Sequence, residues 1–266
     1  MRKTMIENKP KIVAIIPAHL ASVRFPRKVL FPFLGYPMIE HVRRRALLSS
    51  KIDDVYVATC DREISEVVEG NGGKCIMTST SHLNGTSRVA EASLEIDCTH
   101  VILLQGDEPL LLPEYVDLMC ENILDQPHLD AWNGTGPLQT EAELDRHSFV
   151  KCAINQDSKI MYCFRRSPSF APLEQQIKTM RKILGIIAFR REYLERLIKL
   201  PQALTEVSES IEQMRIIEDG GEFVSVGFQE SLPSVNEPHE AEIVEHYLRQ
   251  NIRQQELFAS AFGIKS

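Results

Sequence analysis

Positive charge is in the minority in this sequence. Its 266 residues include 30 Lys and Arg against 37 Asp and Glu, a formal net charge of −7 at pH 7. A chain with this balance has no general attraction to nucleic acid or to an anionic membrane. No apolar stretch reaches the roughly 18 residues of a membrane span, and MRKTMIENKPK at the N-terminus has no apolar core of a signal peptide. We therefore expect a cytoplasmic protein with no nucleic-acid and no membrane partner.

The cysteines form no disulfide or metal-binding pattern. The six are widely spaced and include no C-x-x-C pair. Several lie in apolar runs, where a free cysteine behaves as a small hydrophobic residue. This usage is typical of a reducing compartment.

Several enzyme signatures are also absent. The chain has no G-x-x-x-x-G-K-[ST] loop, no G-x-G-x-x-G after its first apolar run and no G-x-S-x-G turn. These absences exclude P-loop NTPases, the usual dinucleotide-binding fingerprint and hydrolases with a nucleophile elbow. The eight histidines show no metal-ligand spacing.

What the sequence does contain is an alternation of short apolar runs and helical patterns. The apolar runs predict buried strands at 11–18, 53–60, 74–79 and 99–106. The segments between them have helical spacing, which predicts helices at 37–50, 61–73 and 85–96. The alternation is typical of a doubly wound, Rossmann-like α/β fold with a mostly parallel sheet.

The pattern changes after residue 125. Two short antiparallel strands are predicted around a turn at Asp157-Ser158. The later predictions are a strand at 182–190, helices near 191–200 and 204–217, a strand at 223–228 and one amphipathic helix from about 237 to 259. The arginine runs at 43–45 and 190–191 are interpreted as solvent-exposed faces. One domain with an antiparallel excursion is the simplest interpretation.

Two polar segments follow strands of the predicted parallel layer. Arg24, Arg27 and Lys28 follow the first strand, and QGDEP at 105–109 follows the fourth. Ligands of open α/β sheets bind beyond the carboxyl ends of the strands, so the two segments are expected to meet. Arg and Lys bind phosphate oxygens and a carboxylate binds a hard metal ion, which indicates a nucleoside triphosphate with Mg²⁺. Alternatively, the cations form a solvated loop and Asp107 caps the next helix.

The chain resembles the CMP-KDO synthetases (3-deoxy-manno-octulosonate cytidylyltransferases), as a divergent member, in PAHLASVRFPRKVL, GYPMIEHV, DDVYVATCDREI and VILLQGDEPLL. A fainter similarity runs through FVKCAIN, CFRRSP, LGIIAF, SIEQMRIIE and SVNEPHEAE. The resemblance implies one nucleotidyltransferase domain over 1–266 and a homodimer. It implies a CTP-binding half at 11–125, an antiparallel excursion with dimer contacts at 126–200 and C-terminal helices at 201–266 that complete the site.

Enzymes of this family join CTP to an acidic 2-ulosonic sugar and release pyrophosphate, for polysaccharide or lipopolysaccharide synthesis. The resemblance implies attack by the anomeric hydroxyl on the α-phosphate, with catalysis mainly by positioning and charge stabilisation. The implied catalytic residues are Arg24, Lys28 and Asp107. The implied nucleotide-binding residues are Pro17, Ala18, Arg24, Lys28, Arg88 and Gln105. The implied sugar-binding residues are Gln105, Arg166, Glu212 and Gln213, and the implied Mg²⁺ ligands are Asp107 and Asn236.

The chain departs from the family pattern at the nucleotide and metal side. His19 stands where the family has Arg, Ser87 where it has Glu, and Asn236 where it has a metal-binding Asp. An Asn carbonyl binds Mg²⁺ without adding charge, so a lower metal affinity is expected unless Glu237 or the pyrophosphate compensates.

The sugar side departs too. Ile183 and Ile187 replace a His and a Tyr that are able to hydrogen-bond sugar hydroxyls. A pocket without those polar partners does not suit the same hydroxyl pattern. The hypothesis is a sugar that differs from KDO, such as a more deoxygenated or acylated ulosonic acid.

Each assignment has an alternative. Arg88 can pair with Glu91, Arg166 can be an exposed cation at a strand end, and Asn236 can cap the C-terminal helix. Glu212 and Gln213 lie in a helical pattern, where polar residues are usually solvated. For the function, the alternatives are a CMP-sialate-like (nonulosonic acid) synthetase and a nucleotide-binding homologue with impaired catalysis.

Overall fold

The computed structural model describes residues 9–264 of the chain. The strands are β1 (Ile12–Ala18), β2 (Pro32–Phe33), β3 (Tyr36–Pro37), β4 (Asp54–Thr59), β5 (Lys74–Met77), β6 (His100–Leu104), β7 (Ala131–Gly136), β8 (Lys151–Ile154), β9 (Ile160–Phe164), β10 (Met180–Arg190) and β11 (Phe223–Gly227). The helices are α1 (Met38–Ala46), α2 (Arg62–Gly70), α3 (Gly85–Ser93), α4 (Pro113–Asp125), α5 (Glu141–Asp145), α6 (Leu173–Gln176), α7 (Arg191–Leu197), α8 (Leu204–Glu209), α9 (Met214–Glu218), α10 (Glu240–Gln250) and α11 (Ile252–Phe262).

A nine-stranded sheet organises the molecule, with the order β11-β7-β10-β6-β1-β4-β5 and with β8 and β9 beside β10. The strands β6, β1, β4 and β5 are parallel to one another, whereas β10 runs antiparallel between β6 and β7. The expected doubly wound, mostly parallel α/β fold is therefore confirmed. Because β1, β4 and β6 are parallel, their carboxyl ends lie at one edge of the sheet.

Strand β1 is buried on both faces. Its residues alternate between two apolar clusters, with Ala14 and Ile16 in one and Val13 and Ile15 in the other. The first cluster also contains residues of α1, α2 and α4, and the second contains residues of α3, α7 and α9. This is why a continuous apolar run, rather than an alternating one, marks the strand in the sequence.

The antiparallel excursion is present as expected. β8 pairs antiparallel with β9 and with the start of β10. Ser158, in the predicted turn, has a left-handed backbone with φ 62°. The placement of dimer contacts here, and the three-part division of a single domain over 1–266, stay predictions. Residues 1–8 and 265–266 of that domain lie outside the described residues.

Two helical predictions need correction, and two elements were not predicted. The helix expected at 237–259 is two helices, because Asn251 is extended (φ −87°, ψ 115°) and begins α11 by accepting a hydrogen bond from the Gln254 N–H at 3.1 Å. The helix expected at 204–217 is divided into α8 and α9 by Ser210, whose φ is 55°.

No pattern indicated α4 or β7. β7 reads AWNGTG, which contains two glycines and few strand-favouring residues.

The interpretation of Arg43 to Arg45 as an exposed face is wrong. Arg43 and Arg44 both bind the buried carboxylate of Glu40, at 2.6 Å and 2.9 Å. Arg45 is fully buried, and this burial lowers its pKa to about 10. Its guanidinium donates to a main-chain carbonyl of α11 at 3.4 Å. Packing of α11 against α1 therefore covers a face that looks solvent-exposed in the sequence.

All six cysteines are free thiols. Between residues 9 and 264, every helix is too short or too polar to cross a bilayer.

Candidate active site

The first polar segment and QGDEP meet beyond the carboxyl ends of β1 and β6. The Nζ of Lys28 donates to Asp107 Oδ2 at 2.5 Å and to the main-chain carbonyl of Val235 at 3.2 Å. The Val235 N–H donates to the carbonyl of Asp107 at 2.9 Å. Three segments that are distant in the sequence therefore converge on one lysine–aspartate pair. Asp107 forms this pair rather than a helix cap, because the next helix, α4, begins at Pro113.

The loop after β1 is held by hydrogen bonds and an ion pair to acidic residues, and it also carries an exposed arginine. The Leu20 N–H donates to Asp61 Oδ2 at 2.8 Å, and Arg27, with φ 60°, pairs with Glu63. Arg24 is exposed and has no ion-pair partner within residues 9–264. Sequence reasoning missed Asp61, although it lies two residues after the end of β4 at the same sheet edge, where ligand-site residues are expected.

Two more basic side chains, those of Arg88 and His19, lie on this side of the site. Arg88, in α3, is buried and donates to Thr78 Oγ1 at 2.6 Å. The alternative pairing with Glu91 is therefore wrong. Desolvation, together with the charges of Arg88 and Lys28, lowers the pKa of His19. His19 is thus less able than an arginine to carry positive charge at neutral pH.

The remaining residues of the expected nucleotide side lie at the same edge. Ala18 is buried at the end of β1. Pro17 is close to two glycines: a Cβ at Gly85 would lie 3.0 Å from Pro17 Cγ, and one at Gly106 would lie 3.3 Å from the Pro17 carbonyl oxygen. Gln105 is exposed directly after β6. Pro17 is thus closely packed against two glycines, whereas the nucleotide-binding roles of these residues stay predictions.

Asn236 directly follows Val235, whose carbonyl accepts a hydrogen bond from Lys28, and so lies near the lysine–aspartate pair in space. Its N–H donates to Glu240 Oε2 at 2.6 Å, and its side-chain amide donates to Ser234 Oγ at 3.2 Å. The alternative role as a helix cap is wrong, because α10 begins only at Glu240 and His239 is its N-cap residue.

The fit of this region to Mg²⁺ depends on oxygen donors. Asp107 supplies a carboxylate, and Asn236 supplies an amide oxygen that accepts no hydrogen bond from residues 9–264. Both are the hard oxygen ligands that Mg²⁺ prefers. In the described part of the chain, no three His, Cys, Asp or Glu residues form a metal-binding group. The residues fit an ion that shares its coordination with the phosphates of a nucleotide, and they do not form an all-protein cage.

A cavity of about 230 Å³ opens beside Gln105. Its polar lining includes Thr86, Gln105, Arg165, Glu212, Gln213 and Arg215. Thr86 Oγ1 donates to Glu212 Oε2 at 2.7 Å, and Gln213 Nε2 donates to Asn133 Oδ1 at 3.3 Å. Glu212 is accessible from the cavity, yet the surrounding protein desolvates its carboxyl and raises the pKa. The cavity thus brings together three of the four expected sugar-binding residues.

The fourth, Arg166, does not line the cavity. Its side chain is 84% exposed, and its Nε lies 3.4 Å from Asp145 Oδ1. This position matches the alternative of an exposed strand-end cation. Its neighbour Arg165 lines the cavity instead, and sequence reasoning did not select it.

Part of the cavity wall is apolar. It includes Leu103, Ile187, Phe189, Leu197, Ile198 and Ile216. Of the two isoleucines that replace polar family residues, Ile187 lines the cavity and Ile183 does not.

Glu108 lies between the lysine–aspartate pair and β10. The Gly185 N–H donates to Glu108 Oε1 at 2.9 Å. Burial and the neighbouring charge of Asp107 raise the pKa of Glu108 to about 7. QGDEP is therefore anchored to β10 through this carboxyl group.

Known proteins are similar to this chain over most of its length. A model of the cytidylyltransferase family matches residues 13–225. The 3-deoxy-manno-octulosonate cytidylyltransferase of Escherichia coli is 36% identical over 210 residues, which are 79% of this chain and 85% of that protein. The enzyme of the same name from Chlorobium limicola is 35% identical over 244 residues, 90% of this chain and 98% of that protein.

A solved structure is also similar to this chain in fold and in sequence. It is that of a CMP:2-keto-3-deoxy-manno-octonic acid synthetase complexed with CTP, with a TM-score of 0.86, 33% identity and coverage of 91% of this chain and 100% of that chain. The family resemblance expected from the sequence is thereby confirmed. The chain belongs to the cytidylyltransferases, in the 3-deoxy-manno-octulosonate cytidylyltransferase (CMP-KDO synthetase) family.

Proposed function

We propose that this protein couples CTP to an acidic 2-ulosonic sugar and releases pyrophosphate, giving a CMP-sugar for cell-surface polysaccharide or lipopolysaccharide synthesis. The observation that carries the proposal is the convergence of Lys28, Asp107 and Val235 at the sheet edge, directly beside the cavity that contains Glu212 and Gln213. Cations and a carboxylate suit a triphosphate, and the adjoining cavity suits a second substrate.

The chemistry requires that this chain's residues hold two anionic substrates together. Arg24 and Lys28 would bind the triphosphate and stabilise the negative charge of the departing pyrophosphate. Asp107 and Asn236 would hold Mg²⁺, which when bound neutralises phosphate charge. Gln105, placed between the phosphate side and the cavity, would orient the sugar hydroxyl towards the α-phosphate.

The apolar wall supports a sugar other than KDO itself. Ile187 and its apolar neighbours offer no hydrogen bond to a sugar hydroxyl, and leaving a hydroxyl unpaired in such a wall is unfavourable. A deoxygenated or acylated end of the sugar would be accepted there. This observation also favours the second candidate, a synthetase for acylated nonulosonic acids.

The test is pyrophosphate release with CTP and Mg²⁺ against KDO, an 8-substituted KDO, N-acetylneuraminate and other nonulosonic acids. Release with at least one acid is expected, and EDTA should abolish it. A clear preference for KDO would refute the inference that the apolar wall selects a different sugar, but it would not refute the proposed reaction. CTP binding by calorimetry without release from any acid would instead support the catalytically impaired homologue.

We also infer a cytoplasmic location and a homodimer. The six free thiols suit a reducing compartment. The excursion exposes large apolar side chains, with Phe170 fully exposed and Met161 51% exposed, and exposed apolar groups in one region favour association. Light scattering should give the mass of two chains, and a monomer at micromolar concentration would contradict the dimer.

A further inference from the structure

Two arginines line the cavity, and only one of them is neutralised. Arg215 forms a bidentate pair with Glu206, with nitrogen–oxygen distances of 2.7 Å and 2.6 Å. Arg165 has no carboxylate partner among the described residues. Its three guanidinium nitrogens donate only to main-chain carbonyls, those of His147 at 3.0 Å, Glu209 at 3.1 Å and Ser210 at 2.8 Å.

These contacts hold the guanidinium firmly in place. They come from two separate segments, the loop before β8 and the turn between α8 and α9. Ser210, in that turn, has a left-handed backbone. The main chain of Arg165 is held as well, because its carbonyl accepts a hydrogen bond from the Nζ of the buried Lys151. Both ends of Arg165 are thus fixed without a ligand.

A guanidinium group has five N–H donors, of which the three carbonyls use three. Two N–H groups remain, and the charge has no counter-ion among the described residues. Planar guanidinium groups bind carboxylates with strong, charge-assisted hydrogen bonds. A half-buried, immobilised cation at a cavity wall is therefore ready to receive an anionic group of a ligand.

We propose that Arg165, and not Arg166, binds the carboxylate of the acidic sugar. The inference rests on the proposed function, because the cavity beside Gln105 is taken as the sugar site. The carboxylate then lies at the Arg165 side of the cavity, and the rest of the sugar extends along the wall that contains Glu212 and Ile187. Arg166, whose exposed side chain lies near Asp145 and outside the cavity lining, contributes no contact to the sugar.

The adjacent arginines provide a matched pair of variants. Arg165→Gln removes the charge but keeps a hydrogen-bond donor, Arg165→Lys keeps the charge but loses the planar group, and Arg166→Gln is the control. Pyrophosphate release is measured against the concentration of the best acid of the panel at saturating CTP. For each variant, the KM of the acid, kcat, the Kd of CTP by calorimetry and the melting temperature are compared.

Arg165→Gln should raise the KM of the acid about 10- to 100-fold, the effect of losing hydrogen bonds to a charged group. Arg165→Lys should recover part of that loss. Arg166→Gln should change the KM less than twofold, and the Kd of CTP should stay within twofold for all three. The methyl ester of the same acid should be a poor substrate for the unmodified protein, and Arg165→Gln should remove this discrimination between acid and ester.

A merely structural role would give a different pattern. If Arg165→Gln lowers the melting temperature and weakens CTP binding while acid and ester stay as distinct as before, the inference is overturned. A larger KM effect for Arg166→Gln also overturns it. Absence of pyrophosphate release from the unmodified protein with every acid would refute the proposed function instead. In that case, calorimetric titration with KDO and N-acetylneuraminate tests the role of Arg165. If the unmodified protein binds one of these acids and Arg165→Gln abolishes the binding, the inference is supported. If the unmodified protein binds neither acid, the inference is overturned.

Discussion

Gly185 is the position at which one added methyl group tests the geometry of the site. A Cβ there would lie 2.7 Å from Glu108 Cδ and 2.9 Å from Gln105 Cγ, and closer still to Glu108 Oε1. Real Cβ atoms do not approach other atoms so closely, so Gly185→Ala must move the side chains of Glu108 and Gln105. The hydrogen bond from the Gly185 N–H to Glu108 then lengthens or breaks.

The expected cost follows from these contacts. Overpacking of this kind destabilises a protein by about 1–3 kcal/mol, and loss of the hydrogen bond to a desolvated carboxyl group acts in the same direction. We expect Gly185→Ala to lower the free energy of unfolding by about 2 kcal/mol in urea denaturation. Displacement of Gln105 should also reduce pyrophosphate release by roughly 10-fold or more, because reacting groups tolerate little misplacement.

Gly70→Ala is the matched control. Gly70 is the last residue of α2, and an added Cβ there meets no atom within 4 Å. The same substitution should therefore be neutral or should stabilise by about 0.5 kcal/mol, since alanine restricts the unfolded chain. If Gly185→Ala unfolds at the same urea concentration as the unmodified protein and keeps its activity, the close contact between β10 and QGDEP does not exist in solution.

Three further predictions concern pH, capping and the metal. Burial lowers the pKa of His41 to about 4, so the native state binds fewer protons than the unfolded chain between pH 6.5 and 4. Its stability should fall by about 3 kcal/mol on acidification through that range, and His41→Gln, which keeps a side-chain N–H donor but does not titrate, should remove this slope in urea melts. Asn251→Ala removes the cap on Gln254 and should cost about 1 kcal/mol, seen as a lower melting temperature. Asn236→Asp adds a charged oxygen and should lower the Mg²⁺ concentration for half-maximal activity roughly 10-fold, whereas no change would exclude residue 236 as a ligand.

Sequence patterns predicted the parallel half of the fold better than the rest. The strands β1 and β6 are nearly continuous apolar runs because both faces of the sheet are covered there by helices. β7 has no such run, and its backbone is closely packed. A Cβ at Gly134 would lie 2.5 Å from the ring of Phe228. This position needs glycine because of tertiary contact, and single-sequence strand propensity does not detect that need.

The division of the C-terminal segment into α10 and α11 could not be predicted from the periodicity of apolar residues either. The apolar spacing continues across Asn251, so the pattern alone favours one helix. The break depends on the extended backbone of Asn251 and on the aromatic contacts of α11, where Phe258 and Phe262 lie beside His41. Those contacts exist only after α11 has turned back onto α1.

For the site, strand order made the phosphate side predictable and left the sugar side open. Lys28 and Asp107 follow strands whose carboxyl ends share an edge, so the strand pattern alone was enough to infer that they meet. The choice between Arg165 and Arg166 could not be inferred in this way. Adjacent residues of a strand point to opposite faces, and β9 ends at Phe164, directly before them. Family similarity selected Arg166, whereas the carbonyls of His147, Glu209 and Ser210 hold Arg165 at the cavity. A shift of one residue in this segment would place the guanidinium of Arg166, instead of that of Arg165, at the cavity. The variants of the two arginines therefore test both the local register of the excursion and the binding of the acid.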